Sequence, residues 1–165
     1  NFLREQSSVS VYCEWRLPGT LTTVKKHGIA MNMPNPNGQL RVLLADDNAI
    51  FMDSVRHLLS GHDWLQVVGR ASHGAECLAL VTEQRPDVVV VDLEMPDING
   101  FEVTKRIRSL PDHPHVIIMS LYDEPEYREG GQHLGVYGYV SKAAVTTDLI
   151  PLLQGLFQEG MPRPG

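Results

Sequence analysis

Val88-Val89-Val90-Val91-Asp92-Leu93-Glu94-Met95-Pro96 decides the fold. Four consecutive β-branched residues, apolar on both faces, describe a strand covered on both sides. The acidic residue that closes the run marks where the chain leaves the core. The pattern recurs along the chain. Leu40-Arg41-Val42-Leu43-Leu44-Ala45 ends at Asp46-Asp47, and Val116-Ile117-Ile118-Met119 ends at Ser120. Lys142 follows the run Tyr137-Gly138-Tyr139-Val140. In a parallel sheet such ends lie along one edge, where open α/β folds bind ligands. Three carboxylates, a hydroxyl and a lysine are therefore expected together, with Asp92 as the carrier of a phosphoryl group.

Helical periodicity fills the gaps between the runs. Phe51, Val55, Leu58 and Leu59 share one face of a helix near 49–60, which Gly61 stops. A short strand is expected at Leu65-Gln66-Val67-Val68, then a helix near 74–84 that buries Cys77, Leu78 and Val81. A helix near 100–110 uses Val103, Ile107 and Leu110 and stops before Pro111. The helix near 125–134 carries Gly130-Gly131, each glycine costing about 1 kcal/mol against alanine. The last helix, near 147–158, has Thr147 as candidate N-cap and Leu149, Leu152, Leu153, Leu156 and Phe157 as a wide stripe. Pro151 sits early enough in it to be tolerated. Strands separated by helices imply a doubly wound parallel sheet.

Three segments follow from this reading. Residues 1–39 are a weakly ordered leader or linker ending in the turn chemistry of Met31-Asn32-Met33-Pro34-Asn35-Pro36-Asn37-Gly38. Residues 40–159 form the folded domain, and 160–165 a tail or the start of a linker. Val9-Ser10-Val11-Tyr12-Cys13 has strand composition but no evident partner. At 165 residues there is room for one ordinary core, and 42% hydrophobic with 21% charged residues is a globular composition. The formal charge of −6 argues against a general nucleic-acid surface. Cys13 and Cys77 make neither a disulfide framework nor a zinc site. With no apolar run of spanning length and no opening signal stretch, the expected location is cytoplasmic, away from membranes. The histidines lack metal-ligand spacing and are expected on the solvated surface, His113-Pro114-His115 being the tightest pair. Trp64 is expected to pack at the start of the second strand, and Trp15 has no assignment.

Clustered carboxylates repel unless a cation sits among them, and a hard divalent ion with oxygen ligands, Mg²⁺, meets that need. A carboxylate beside it can attack phosphorus to form an acyl phosphate. Lys142 supplies a mobile ammonium for a carboxylate or the incoming group, and Ser120 a hydroxyl for a phosphoryl oxygen. Alone, Asp46-Asp47-Asn48 would be a helix N-cap cluster, Asp92 a turn residue and Tyr139 a half-buried strand aromatic. Their order at successive strand ends is what carries chemistry.

The segment Leu40 to about Glu159 resembles a response-regulator receiver domain of two-component signalling. The resemblance rests on Val42-Leu43-Leu44-Ala45-Asp46-Asp47-Asn48, Arg85-Pro86-Asp87 through Met95-Pro96, Asn99-Gly100-Phe101-Glu102, Ile117-Ile118-Met119-Ser120 and Gly138-Tyr139-Val140-Ser141-Lys142. It implies a flavodoxin-like sheet of five strands in the order 2-1-3-4-5. It implies that Asp92 accepts phosphate from a sensor histidine kinase, and that Asp46, Asp47, Asp92 and the Glu94 backbone carbonyl hold Mg²⁺. Ser120 then matches the switch hydroxyl, Tyr139 the switch aromatic and Lys142 the phosphoryl-pairing lysine. The output face is helix four, strand five and helix five. A homodimer through that face, or through helices one and five, is left open.

The chain departs from the pattern twice. Leu121 replaces a small residue and is expected to crowd the phosphoryl site. Gly130-Gly131 is expected to weaken helix four into a bistable element. The resemblance is closest to receivers that precede a helix-turn-helix domain, and the expectation is a receiver of a transcription regulator or a stand-alone receiver that works by protein contact. No enzymatic activity is expected beyond self-phosphorylation and slow autodephosphorylation. A metal-dependent phosphotransferase or phosphatase would need a cap segment, and none interrupts Leu40 to Glu159.

Overall fold

The computed structural model describes residues 38–160. The leader strand 9–13, most of the 31–38 turn segment, Cys13, Trp15, His27 and the tail from 161 lie outside the described residues. Five strands alternate with five helices: β1 (Leu40–Ala45), α1 (Ala49–Ser60), β2 (Leu65–Ala71), α2 (Gly74–Gln84), β3 (Val88–Asp92), α3 (Gly100–Arg108), β4 (His115–Ser120), α4 (Pro125–His133), β5 (Gly138–Ser141) and α5 (Val145–Gln158). A short 3₁₀ turn, Lys142–Ala144, joins β5 to α5. All strand pairs are parallel, in the order β2-β1-β3-β4-β5. This is the expected flavodoxin-like receiver fold.

Strand alternation divides the core into two layers. Val42, Leu44, Val88, Val90 and Ile117 face α1 and α5, where Met52, Val55, Leu59, Leu149, Leu153 and Leu156 meet them. Leu43, Ala45, Val89, Val91 and Ile118 face the other way, against Cys77, Val81, Val103 and Ile107. Both faces of β3 are thus buried, as the four valines require, and all four are 0% exposed. Trp64 packs against Phe157 with ring centroids 5.2 Å apart, and its carbonyl accepts the Leu40 N–H at 2.8 Å, at the entrance to β2 as expected.

Several local expectations need correction. β2 runs on to Ala71, because Gly69 and Arg70 keep pairing with Leu43 and Leu44 beyond a register shift. Leu110 is not a core residue: α3 ends at Arg108, and Leu110 is 36% exposed. Leu78 is only partly buried. Thr147 does not cap α5. The helix starts at Val145, and the Thr147 hydroxyl donates back to the Ala144 carbonyl at 3.0 Å from inside the first turn. Pro151 is therefore a turn deeper than expected, on the exposed side, where a missing N–H is least damaging. The histidines are not all solvated: His113 is buried, with Nδ1 3.1 Å from the Pro114 carbonyl, and the His115 ring meets Tyr137 edge-on.

The glycines of α4 permit packing rather than merely loosening the helix. A Cβ at Gly130 would stand 3.1 Å from Phe101 Cζ, and one at Gly131 would stand 3.2 Å from Val136 Cγ2 and 3.5 Å from Tyr139 Cδ2. Their helix-propensity deficit is exchanged for close approach to α3 and β5.

Candidate functional site

The loops after β1 and β3 diverge at the point where strand order reverses, which opens a crevice at the carboxyl ends of the strands. Asn48 caps α1 by accepting the Phe51 N–H at 3.0 Å. The N-cap duty is thereby taken by the asparagine, and the two preceding carboxylates are left for other work. Asp46 is 1% exposed; its Oδ1 accepts the Asn48 N–H at 2.8 Å. Its Oδ2 is buried without a hydrogen bond of good geometry, although Lys142 Nζ stands 2.7 Å away as an ion pair. Asp92, the last residue of β3, is 3% exposed and meets Lys142 Nζ at 2.9 Å. Asp47 is exposed, and oxygens of Asp46, Asp47 and Asp92 lie within 4.8 Å of one another.

Lys142 closes this cluster from the first position after β5. Its side chain is 10% exposed, and Nζ lies 4.9 Å from the Phe51 ring centroid. Burial alone would depress its pKa, but the Asp46 and Asp92 carboxylates outweigh that and raise it. Asp92 moves the opposite way. Burial pushes its carboxyl up to about 6; the Asp46 charge adds to this, while Lys142 and the Glu94 N–H oppose it. One ammonium between two buried carboxylates, with the Asp47 carboxylate beside them, leaves the cluster with excess negative charge.

Ser120 ends β4 fully buried, and its Oγ accepts the Tyr122 N–H at 3.0 Å. Tyr139 is half-buried on β5. Its hydroxyl donates to the Tyr122 carbonyl at 2.7 Å and also lies against Ser120. Burial raises its pKa, against the Ser120 bond and the Arg128 charge. The side chain of Glu94 is exposed and hydrogen-bonds the Tyr122 phenol, raising that phenol's pKa. Leu121, expected to crowd the phosphoryl site, is 71% exposed beside the buried Ser120.

Two residues support the site in roles that the sequence reading did not assign. Asp97 lies in the β3–α3 loop and accepts the Gly74 and Ala75 N–H groups at 2.7 and 2.8 Å. It thereby ties the loop that follows Asp92 to the amino end of α2. Desolvation raises its carboxyl, but the N–H groups of Ala75, Gly74 and Ile98 outweigh this and hold it below the usual carboxylate range. Only the turn chemistry of Pro96-Asp97 was available as a signal, and that does not name a partner 22 residues away. Gly100 is the second. A Cβ there would press into the Asp92 carbonyl oxygen and stand 2.9 Å from Leu93 Cα. Both neighbours are backbone and cannot turn aside. Gly100→Ala is therefore expected to destabilise the domain by about 2–3 kcal/mol, measured by urea unfolding. A loss below about 0.5 kcal/mol would mean that the β3–α3 loop adjusts freely.

A family model described as the response regulator receiver domain matches residues 42–154. The response regulator GacA of Pseudomonas aeruginosa is 33% identical over 119 residues, 72% of this chain and 55% of that protein. Among solved structures, the signal receiver domain of NarL from Mycobacterium tuberculosis superposes with a TM-score of 0.67 at 30% identity, covering 73% of this chain and 97% of that one. The isolated REC domain of RcsB from Salmonella enterica serovar Typhimurium, solved with the phosphomimetic BeF3⁻, gives a TM-score of 0.67 at 25% identity, covering 74% and 90%. The chain spans about half the length of the curated relatives it matches. Among the described residues, no helix is long and apolar enough to cross a membrane. With the fold, the strand-end cluster and these likenesses together, the chain belongs to the response regulator receiver family of two-component signalling.

Proposed function

We propose that this chain is the phosphorylatable input domain of a two-component response regulator, with residues 40–159 as the receiver and Asp92 as its phosphoacceptor. The observation that carries the reading is the Asp46–Lys142–Asp92 cluster, two buried carboxylates sharing one ammonium, with the Asp47 carboxylate within 4.8 Å. The donors available are hard carboxylate oxygens, which suits Mg²⁺. Asp46, Asp47, Asp92 and the Glu94 carbonyl would hold it. When bound, Mg²⁺ supplies positive charge that offsets the clustered carboxylates and the oxygens of an incoming phosphoryl group.

The chain's own residues divide the rest of the work. An Asp92 carboxylate oxygen attacks phosphorus, forming a C(=O)O–P bond as the bond from phosphorus to the kinase histidine nitrogen breaks. The departing imidazole takes the bonding electron pair. Lys142 Nζ, already between the two carboxylates, moves its charge toward the phosphoryl oxygens. Ser120 exchanges its Tyr122 N–H contact for donation to one of those oxygens, and the Tyr139 ring, already turned toward Ser120, is fixed in that position. The face of α4, β5 and α5 changes with it and reports the state to an output. Because the curated relatives are about twice as long, that output is proposed as transcription control by a further domain of the same protein. Contact with a second copy or another protein is the alternative. The partner supplying phosphate is a sensor histidine kinase, and the setting is the cytoplasm.

Intact-mass measurement after incubation with acetyl phosphate tests the reading. One phosphoryl group per chain is expected in the presence of Mg²⁺, removable by hydroxylamine as befits an acyl phosphate. No mass gain under any Mg²⁺ concentration, or a hydroxylamine-stable adduct, would overturn it.

A further inference from the structure

Tyr139 is held by more than its own strand. Arg128, on α4, places its guanidinium carbon 5.2 Å from the centroid of the Tyr139 ring. The same group donates through Nη1 to the Tyr139 carbonyl at 3.4 Å and through Nε to Asp123 Oδ1 at 2.7 Å. Nη2 pairs with that Asp123 oxygen as well. Asp123 belongs to the β4–α4 loop, next to Tyr122, whose carbonyl receives the Tyr139 hydroxyl at 2.7 Å. The Tyr122 ring stacks on Tyr127 at 5.0 Å and 18°, and its N–H donates to Ser120 Oγ at 3.0 Å. Gly131, three residues beyond Arg128, borders the ring: a Cβ there would stand 3.5 Å from Tyr139 Cδ2, at ordinary contact distance.

We propose that Arg128 is a positioning residue that holds the Tyr139 ring turned inward, toward Ser120, before any phosphoryl group is present. The consequence drawn for phosphoryl binding rests on the function proposed above; the position of the ring does not.

The bland alternative is a surface ion pair. Arg128 and Asp123 side chains are 40% and 55% exposed, and such a pair alone contributes little. Three contacts of different kinds converge on this one side chain, however. A planar guanidinium can stack on a ring face while its edge bonds a carboxylate, which a lysine ammonium cannot do. An outward swing of the ring would give up the cation–ring contact and the hydroxyl bond together. Release of Asp123 would in turn free the Tyr122 carbonyl that receives the hydroxyl. A ligand that needs the inward ring then binds a state already populated, and its apparent affinity falls by whatever fraction of that population is lost.

The ligand-free arm of the test is NMR of ring-labelled tyrosine. Arg128→Ala should shift the Tyr139 ring resonances and weaken their contacts to Tyr122. Arg128→Lys should do so nearly as much, since charge without the planar fork is insufficient. Asp123→Asn should give a partial shift, and it decides the matter if Arg128→Ala fails to fold. Raising NaCl from about 0.1 M to 1 M should move the wild-type ring toward the Arg128→Ala position and leave the variant unmoved, because the Debye length shrinks from ~10 to ~3 Å. Identical Tyr139 resonances and contacts in wild type and all three variants would overturn the proposal.

The second arm is beryllofluoride affinity with Mg²⁺, expected to be ~3- to 10-fold weaker in Arg128→Ala. A displaced ring with unchanged affinity would overturn the link to the phosphoryl site and leave the positioning role standing. Absence of beryllofluoride binding in the wild type would instead count against the proposed function.

Discussion

Asp92→Asn is expected to take up no phosphoryl group from acetyl phosphate, while the wild type gains one. Three carboxylates share the crevice, and they are not equivalent. Asp46 already spends one oxygen on the Asn48 N–H, and its other oxygen lies 2.7 Å from Lys142. Asp47 is exposed and is expected to serve only as a ligand. Asp92 stands with them at the end of the fully buried strand β3, with Lys142 on one oxygen at 2.9 Å. Its carboxyl, pushed up to about 6 chiefly by burial, makes a more basic oxygen than an ordinary aspartate. The nucleophile is the carboxylate, so in low Mg²⁺ the labelling rate should fall as pH drops through about 6. Saturating Mg²⁺ should move that fall to lower pH, since a nearby cation favours the charged form. Intact mass and a pH series measure both effects. Equal uptake by Asp92→Asn would relocate the acceptor, with Asp46 and Asp47 the remaining carboxylates of the cluster.

The sheet was legible because its signal is redundant. Each of β1, β3 and β4 is an apolar run that ends in a polar residue, and burial on both faces demands such runs. The edge strand β2 was the exception: Gly69 and Arg70 look like a strand end, yet pairing to Leu43 and Leu44 continues through them. An edge strand has one neighbour and one solvent side, so its composition is free to vary and its boundary is weakly written. Helix ends failed for a related reason. Thr147 has cap chemistry, but the 3₁₀ turn Lys142–Ala144 leads straight into a helix that starts at Val145, two residues earlier. At the crevice, Asp46, Asp47, Asp92, Ser120 and Lys142 could be brought together on paper because strand ends converge. Asp97, Gly100 and Arg128 could not. Their partners are backbone groups or rings on other elements, and no periodicity reports a contact of that kind.

Lys142→Met is expected to lower stability by about 3–5 kcal/mol at pH 8 in EDTA, because it leaves two buried carboxylates without their shared cation. Asp46 and Asp92 are 1% and 3% exposed, so water cannot take over. Methionine keeps most of the volume, which confines the loss to charge rather than a cavity. The pH dependence has a definite sign. The folded Asp92 carboxyl titrates near 6, above the ~3.9 of an unfolded chain, so on acidification the native state takes the proton first. Its destabilising charge is fully present above about 6 and is relieved as pH falls toward about 4. Removing Lys142 takes away a force that opposes this shift, so the recovery in the variant should begin at higher pH and be larger. Lys142 itself has a raised pKa, so its contribution to the wild type is complete below ~10.4 and is lost only as pH climbs past the raised value. Saturating Mg²⁺ should shrink the difference between the proteins, since it offers a cation to the same oxygens. Urea unfolding at pH 8, 6.5 and 5, with and without Mg²⁺, measures all of these. A loss below about 1 kcal/mol at pH 8 in EDTA would mean that the ion pair balances its own desolvation, and the crevice would then need no further cation to hold its carboxylates.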